Sequence, residues 1–361
     1  PESLLLRPFN MDFGWGHLMT RPDSPVNFVH GCLEGEQRAT DVPQEVVYKA
    51  KEEYKLVGKP VPRSDIKRML NGEAVYVQDL RFKNMLHARI VRPAAYDAVL
   101  TSLNAANAEA LDDEVKVYRK NNFVGVVAPE EFLAEKAQLI LKNDIAWQVN
   151  TKLPAEKDLV KFIKSLPSDA ENVEEEGRVE FSTNSVKAAY SKPYIMHASV
   201  GPSCAVAFFD GVSLQVWSHT QGVYPLRDTL SELLQLPKEK IRITGVPGSG
   251  CYGHNGADDV AAEAAILALE FPNRHLRLQW SREDEHSWEP YGSAMLMELQ
   301  AEMDSSGKIA HWKHDVYTDT HSTRPGGNKV NLLPTAYYEG VPHKASSSFS
   351  AGGYRNSIPY Y

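Results

Sequence analysis

Ile241-Arg242-Ile243-Thr244-Gly245-Val246-Pro247-Gly248-Ser249-Gly250-Cys251-Tyr252-Gly253-His254-Asn255-Gly256-Ala257-Asp258-Asp259 reads as a strand, a glycine-rich turn and the start of a helix. Ile241 and Ile243 alternate with polar neighbours, as in a half-buried strand. Gly248, Gly250, Gly253 and Gly256 permit positive φ and close approach of backbone to a ligand. From Ala257 to Leu269, Val260, Ala264 and Leu267 share one helical face, with Ala261, Ala265 and Ala268 beside it. So many alanines let a helix lie close to a sheet. Successive N–H groups ahead of a helix N-terminus form an anion cradle. No lysine and hydroxyl residue follow the glycines, so this is not a P-loop, and the spacing is not a clean dinucleotide fingerprint. Taken alone, such a loop is as well explained by a tight strand-to-helix turn that needs glycine for packing.

About thirty residues upstream, Trp217-Ser218-His219-Thr220-Gln221 ends another apolar run. A side-chain amide and a row of free N–H groups can surround one polar, anionic object. Asp258 and Asp259 suit the positive end of the following helix and read as its capping residues. His254 and Asn255 read as solvated loop residues. His219, His286 and His321 show no metal-ligand spacing.

Outward from this core, residues 1–50 are broken by Gly14, Gly16, Pro22, Pro25 and Pro43 and read as an ordered extension, with Leu4, Phe9, Phe13 and Trp15 available to pack. Residues 51–150 read as an α+β unit. Val75 to Val77 and Met85 to Val91 are expected strands, the latter with Leu86, Ala88 and Ile90 on one face and His87 and Arg89 on the other. Val99, Leu100 and Leu103 fit a helical stripe. Val115 to Tyr118 and Phe123 to Ala128 are further strands, and Pro129 stands at a helix start. Residues 151–178 read as a linker or surface strap: Pro154 and Pro167 precede Asp169 to Glu176, which is acidic and nearly free of large apolar side chains. From 179 onward, Cys204–Phe209 and Val212–Ser218 flank Asp210-Gly211, a hairpin signal. Pro225 opens a helix with Leu226, Leu230, Leu233 and Leu234 on one stripe, stopped by Pro237. Leu276, Leu278 and Trp280 make a strand, and Ser281 to Asp284 resembles a capping box. Met295–Met303 and Lys308–Tyr317 form a second hairpin. Residues 318–361 read as loop and stop without a capping element, as if in mid-domain.

The chain has 361 residues, 42% hydrophobic and 24% charged, with a net charge of −8. That composition suits a globular protein of roughly two or three domains. The negative balance argues against a nucleic-acid partner, and no apolar run is long enough to span a membrane. Cys32, Cys204 and Cys251 are too scattered for a disulfide framework or a cysteine metal site. Cys32 and Cys204 read as small buried residues. Pro1 opens no signal-peptide pattern. The compartment, cytoplasmic or periplasmic, stays open.

Together these residues resemble the molybdopterin-binding large subunit of the xanthine dehydrogenase and aldehyde oxidase family of molybdenum hydroxylases, N-terminal half only. The branch of isoquinoline 1-oxidoreductase and nicotinate dehydrogenase is the nearest in pattern. The resemblance runs from about Tyr54 onward. It rests on Val57 to Asp65, Gly72, Tyr76, Asp79 and Met85 to Arg89, then on His197-Ala198 with Gly201-Pro202, Trp217 to Gln221, Leu236-Pro237, Gly250 to Gly253, Ser281 to Asp284, and Asp304 with Gly307 to Ile309. It implies an α+β fold: an α/β hammerhead domain over 51–150, the acidic linker 151–178, and the first part of the molybdopterin-binding domain over 179–361.

The resemblance also implies roles. Molybdenum is held in the family by the sulfurs of the pterin cofactor. Gln221, after Thr220, would lie beside the metal and donate to one of its oxygens. Gly250, Cys251, Tyr252 and Gly253 would offer backbone N–H groups to that oxygen and to the pterin. The family's usual loop has glycine and phenylalanine where Cys251 and Tyr252 stand. Some members carry a substrate-binding acid near the position of Gly256. None stands there, which disfavours purines and leaves Asp258 or Asp259 for another ring. The catalytic glutamate would lie outside this chain, so the resemblance implies a fragment or one part of a split large subunit. Glu283 and Glu289 read as a solvated face, not as substitutes. The implied activity is hydroxylation of an N-heteroaromatic compound or an aldehyde with oxygen from water. The cofactor would be molybdopterin in its cytosine dinucleotide form. Without a cysteine cluster, electrons would leave through a separate iron–sulfur subunit, and no FAD is expected in this chain. The rest of the large subunit would be a further partner. Two alternatives are a non-catalytic scaffold or assembly subunit of the same family, and an unrelated nucleotide-binding protein.

Overall fold

A computed structural model describes residues 49–341 except 74, 94, 151–153, 171, 173–174 and 320–323. Residues 1–48 of the expected extension over 1–50, Cys32 among them, His321 and the tail 342–361 lie outside the described residues. The first elements are α1 (Ile66–Leu70), β1 (Leu86–Ile90), β2 (Val99–Leu103), α2 (Ala106–Glu109), β3 (Lys116–Lys120), β4 (Phe123–Ala128), α3 (Glu131–Asn143) and β5 (Ile145–Gln148). Next come α4 (Leu159–Ser165), β6 (Val186–Lys192), β7 (Cys204–Phe209), β8 (Leu214–Ser218), α5 (Val223–Leu234), β9 (Ile241–Gly245) and α6 (Ala257–Glu270). The last are β10 (Leu276–Gln279), α7 (Arg282–Trp288), β11 (Met295–Met303), β12 (Ile309–Thr318) and α8 (Leu333–Glu339).

The fold is α+β. Its centre is a seven-stranded sheet in the order β3-β4-β1-β10-β7-β8-β9. Strands from both sides of the 151–178 stretch build it: β1 lies parallel to β10, with Leu86 opposite Leu276. β4 shows why. All six of its residues are buried, and alternate side chains of a strand point to opposite faces. Phe123 and Val127 belong to the core under α5 and α6, whereas Val124, Val126 and Ala128 belong to the core under α3. A Cβ on Gly125 would sit 3.0 Å from Leu267 of α6, so the small residue sets the helix-to-sheet distance. α6 itself is buried almost all round, from Ala257 to Ala268. A three-stranded sheet, β12-β11-β6, and the pair β2-β5 complete the strands.

β1 alternates as the sequence implies. Leu86, Ala88 and Ile90 join the α6 core. On the other face Arg89 is buried, and it and Arg277 both donate to Glu131 Oε1, at 3.0 and 2.8 Å. Burial alone would raise the Glu131 pKa, but the two guanidinium groups outweigh it and pull the carboxyl to about 2.

Several local expectations are corrected. Val75–Val77 is no strand: Val77 N–H donates to Pro247 O and a 3₁₀ turn over Val77–Asp79 follows, closed by Asp79 on Tyr76 N–H. The stripe at Val99–Leu103 is strand β2, not helix, because β5 offers it an antiparallel edge. The Asp210 hairpin closes through four residues, not two, with Asp210 Oδ1 accepting from Val212 and Ser213 N–H. The 151–178 segment holds α4 ahead of its acidic run, and Lys164 of α4 pairs with Glu298 at 2.6 Å. The tail contains α8, whose Leu333, Ala336 and Tyr337 pack into the core. The Ser281 capping box is present, with Asp284 N–H donating to Ser281 Oγ at 2.9 Å.

Candidate functional site

β8 and β9 lie parallel and adjacent, in register from Leu214 opposite Ile241 to Ser218 opposite Gly245. Whatever follows each strand therefore leaves the sheet at the same place. The crevice outside carboxyl ends of parallel strands is a common ligand position. His219-Thr220-Gln221 follows β8, and the glycine loop follows β9. Thr220 Oγ1 donates to Asp258 Oδ1 at 2.5 Å, tying the strand end to the first turn of α6.

Gln221 is exposed, and its carboxamide oxygen accepts from Arg324 Nη2 at 2.8 Å. The same nitrogen donates to Gly253 O at 2.8 Å and lies 3.7 Å from Cys251 Sγ. One guanidinium thus joins the amide to the loop. Tyr252 stands among these residues at φ 54°, with its side chain mostly in solvent. Sequence reading missed Arg324; a single arginine in a run of small residues, 103 positions from Gln221, carries no periodic signal.

Each glycine of the loop has its own reason. A Cβ on Gly248 would meet the His219 ring at 2.5 Å, and one on Gly256 the Trp280 ring at 2.3 Å. Gly250 and Gly253 have φ of +108° and +145°, values L side chains rarely adopt. Packing thus fixes Gly248 and Gly256, while at Gly250 and Gly253 the backbone conformation adds to crowding, a Cβ there falling 2.6 Å from the Tyr252 ring and 2.1 Å from the His197 ring. Among the described residues, the N–H groups of Ser249, Gly250, Cys251, Tyr252 and Gly253 donate to no protein acceptor. Such a row of donors beside a carboxamide fits the oxygen-rich, anionic surface of a pterin cofactor bearing phosphate. Among the described residues no three His, Cys, Asp or Glu side chains stand together to hold a bare metal ion.

The acids behave differently from their sequence reading. Asp258 and Asp259 do not cap α6. Both are buried, the first held by Thr220 and the second accepting from Leu333 N–H at 2.7 Å. Neither is turned to solvent for a substrate ring. Burial raises both pKa values above the usual carboxylate range. Glu283 is exposed and pairs with Lys142 at 2.7 Å, as a solvated residue should. Glu289, by contrast, is fully buried and accepts from His197 N–H and from Ala198 N–H, the latter at 3.3 Å. The His197 ring backs onto Gly253. Glu285 accepts from Ser203 N–H at 2.8 Å, and Arg282 donates to Ser199 O at 2.7 Å. α7 thus clamps the turn over 197–203. That turn in turn grips the loop: Val200 N–H donates to Ser249 O and Ser249 Oγ to Gly201 O, at 3.1 and 2.7 Å.

Asn255, expected in solvent, is buried and donates to Gly250 O at 2.9 Å. Cys204 is buried as expected, and burial pushes its thiol up to about 11. Burial lowers the His219 pKa from 6.5 to about 4. Burial, helped by the charge of Arg324 and by His197, lowers that of His254 to about 3. Both rings are protonated in the unfolded chain below pH 6.5 and resist protonation when folded. Stability from these sites is complete above pH 6.5 and falls as pH drops toward 4 and then 3. Denaturant midpoints should fall across that window, less steeply in His219→Gln; parallel slopes would remove His219 from the effect.

Residues 167–335 match the family model "Molybdopterin cofactor-binding domain". The B subunit of the nicotinate dehydrogenase of Pseudomonas putida is 36% identical over 96% of this chain and 29% of its own length. The beta subunit of the isoquinoline 1-oxidoreductase of Brevundimonas diminuta is 21% identical over 77% of this chain and 38% of its own. Among solved structures, the aldehyde oxidoreductase of Desulfovibrio desulfuricans superposes with a TM-score of 0.60 at 14% identity, over 73% of this chain and 35% of that one. Quinoline 2-oxidoreductase of Pseudomonas putida 86 gives 0.58 at 17% identity, over 71% and 38%. Residues 167–335 thus carry the sequence of a molybdopterin cofactor-binding domain, and the chain as a whole is similar to molybdopterin-binding large subunits of molybdenum hydroxylases. It spans 29% of the length of the first of these relatives and 38% of the second. Their names are those of subunits of larger complexes. No helix among the described residues is long and apolar enough to cross a membrane.

Proposed function

We propose that this chain supplies the molybdopterin-facing donors of a molybdenum hydroxylase acting on an N-heteroaromatic compound or an aldehyde. The observation that carries this reading is the convergence of Gln221 and the Gly250–Gly253 loop at the ends of β8 and β9, joined through Arg324. Bound molybdopterin would supply the two-electron redox chemistry. Thr220 fixes the turn before Gln221, since its Oγ1 accepts from Gly222 N–H at 3.0 Å while donating to Asp258. Gln221 Nε2 and the N–H groups of Gly250, Cys251, Tyr252 and Gly253 would hold cofactor oxygen and stabilise charge that builds there. We assign the cofactor as the cytosine dinucleotide form, with a separate iron–sulfur subunit as electron acceptor. The rest of the large subunit completes the site.

Gln221→Ala in the intact complex should lower turnover by about 10²-fold, the usual order for removing one fixed donor. Molybdenum content should stay near wild type. Unchanged turnover would take Gln221 out of the site. Absence of molybdenum and pterin from the wild-type complex would favour the scaffold alternative.

A further inference from the structure

We infer that Arg324 is a positioning residue that sets which end of the Gln221 carboxamide faces the ligand; this rests on the function proposed above. A guanidinium has donors only and no acceptor. The carboxamide atom 2.8 Å from Arg324 Nη2 must therefore be the oxygen. With Oε1 held there, Nε2 and its two N–H groups are turned the other way. A freely rotating amide would present donor or acceptor indifferently, and an acceptor facing a cofactor oxygen repels it. Arg324 removes that choice.

The guanidinium is itself fixed. Both N–H bonds of Nη2 are committed, to Gln221 Oε1 and to Gly253 O. Nη1 lies 3.9 Å from the buried Asp258 carboxylate, which Thr220 orients. Arg324 O accepts from Asn331 Nδ2 at 3.3 Å. Only a third of the Arg324 side chain is exposed. The loop and the amide are thus set by one rigid fork, which lysine, a point donor on a flexible stem, reproduces only in part.

The test uses the intact complex carrying Arg324→Ala, Arg324→Lys, Gln221→Ala and the double variant Gln221→Ala/Arg324→Ala. Arg324→Ala should lower kcat about tenfold or more and leave KM within about threefold, while molybdenum and pterin contents stay at wild-type values. Arg324→Lys should restore part of kcat. The double variant should be no slower than Gln221→Ala alone, because residues acting through one another are not additive. A crystal structure of Arg324→Ala should show the carboxamide turned or in two orientations. Losses that multiply in the double variant, or loss of molybdenum on Arg324→Ala, would overturn the inference and leave the proposed function standing. A wild-type complex without molybdenum, or a Gln221→Ala variant as fast as wild type, would instead defeat the proposed function beneath it.

Discussion

Glu263→Ala should destabilise this chain by about 3–5 kcal/mol, the usual cost of stranding one partner of a buried ion pair. Glu263 projects from α6 into the protein with 2% side-chain exposure, and Arg92 facing it has 4%. The two are hydrogen-bonded. Glu263 Oε2 also accepts from Trp280 Nε1 at 2.7 Å. Its removal leaves the Arg92 guanidinium with Asp284 at 3.4 Å and the Trp280 and Trp288 faces, 4.5 and 6.0 Å from the ring centres. Two buried donor groups would then lack acceptors. Replacing both charges, as in Arg92→Met with Glu263→Leu, should cost less, since the pair goes together and Asp284 keeps its bonds from Ser281 N–H and Oγ. Denaturant titration of the three variants decides it. A loss below about 1 kcal/mol for Glu263→Ala would mean that water or a neighbour reaches Arg92.

Gly253→Ala should collapse the loop geometry. A Cβ there falls 2.1 Å from the His197 ring, and the φ of +145° is hostile to any L side chain. The ring cannot easily retreat. The backbone N–H of His197 is bonded to buried Glu289, and its Nε2 also lies 3.6 Å from where a Cβ on Gly292 would stand. Backbone strain of about 1–3 kcal/mol and overpacking of about 1–3 kcal/mol then act together. The expected readout is molybdenum and pterin content of the intact complex, falling several-fold. Adding His197→Ala should recover part of it, because the clash goes and the strain stays. Wild-type cofactor content in Gly253→Ala would show that the loop tolerates displacement and does not grip the ligand.

Much of the framework was legible because it is local. β4, α5, α6 and the β11–β12 hairpin follow from apolar periodicity and turn residues. The misreadings at Val99–Leu103 and Glu289 share one cause: partners distant in sequence. Val99, Leu100 and Leu103 fit a helical stripe, and only the edge of β5 makes them a strand. Glu289 carries the composition of a surface residue, yet two backbone N–H groups from 91 and 92 positions upstream make its burial tolerable.

By itself the sequence determined that a strand runs through glycines into an alanine-rich helix, and that a Thr-Gln pair closes another apolar run. Those are properties of neighbouring residues, written in period and turn chemistry. Only the tertiary structure decided that the two stretches meet, through parallel pairing of β8 with β9, and that Arg324 spans them. Hydrogen bonding between strands and the reach of one long side chain depend on where the backbone goes, and no spacing along the chain encodes that.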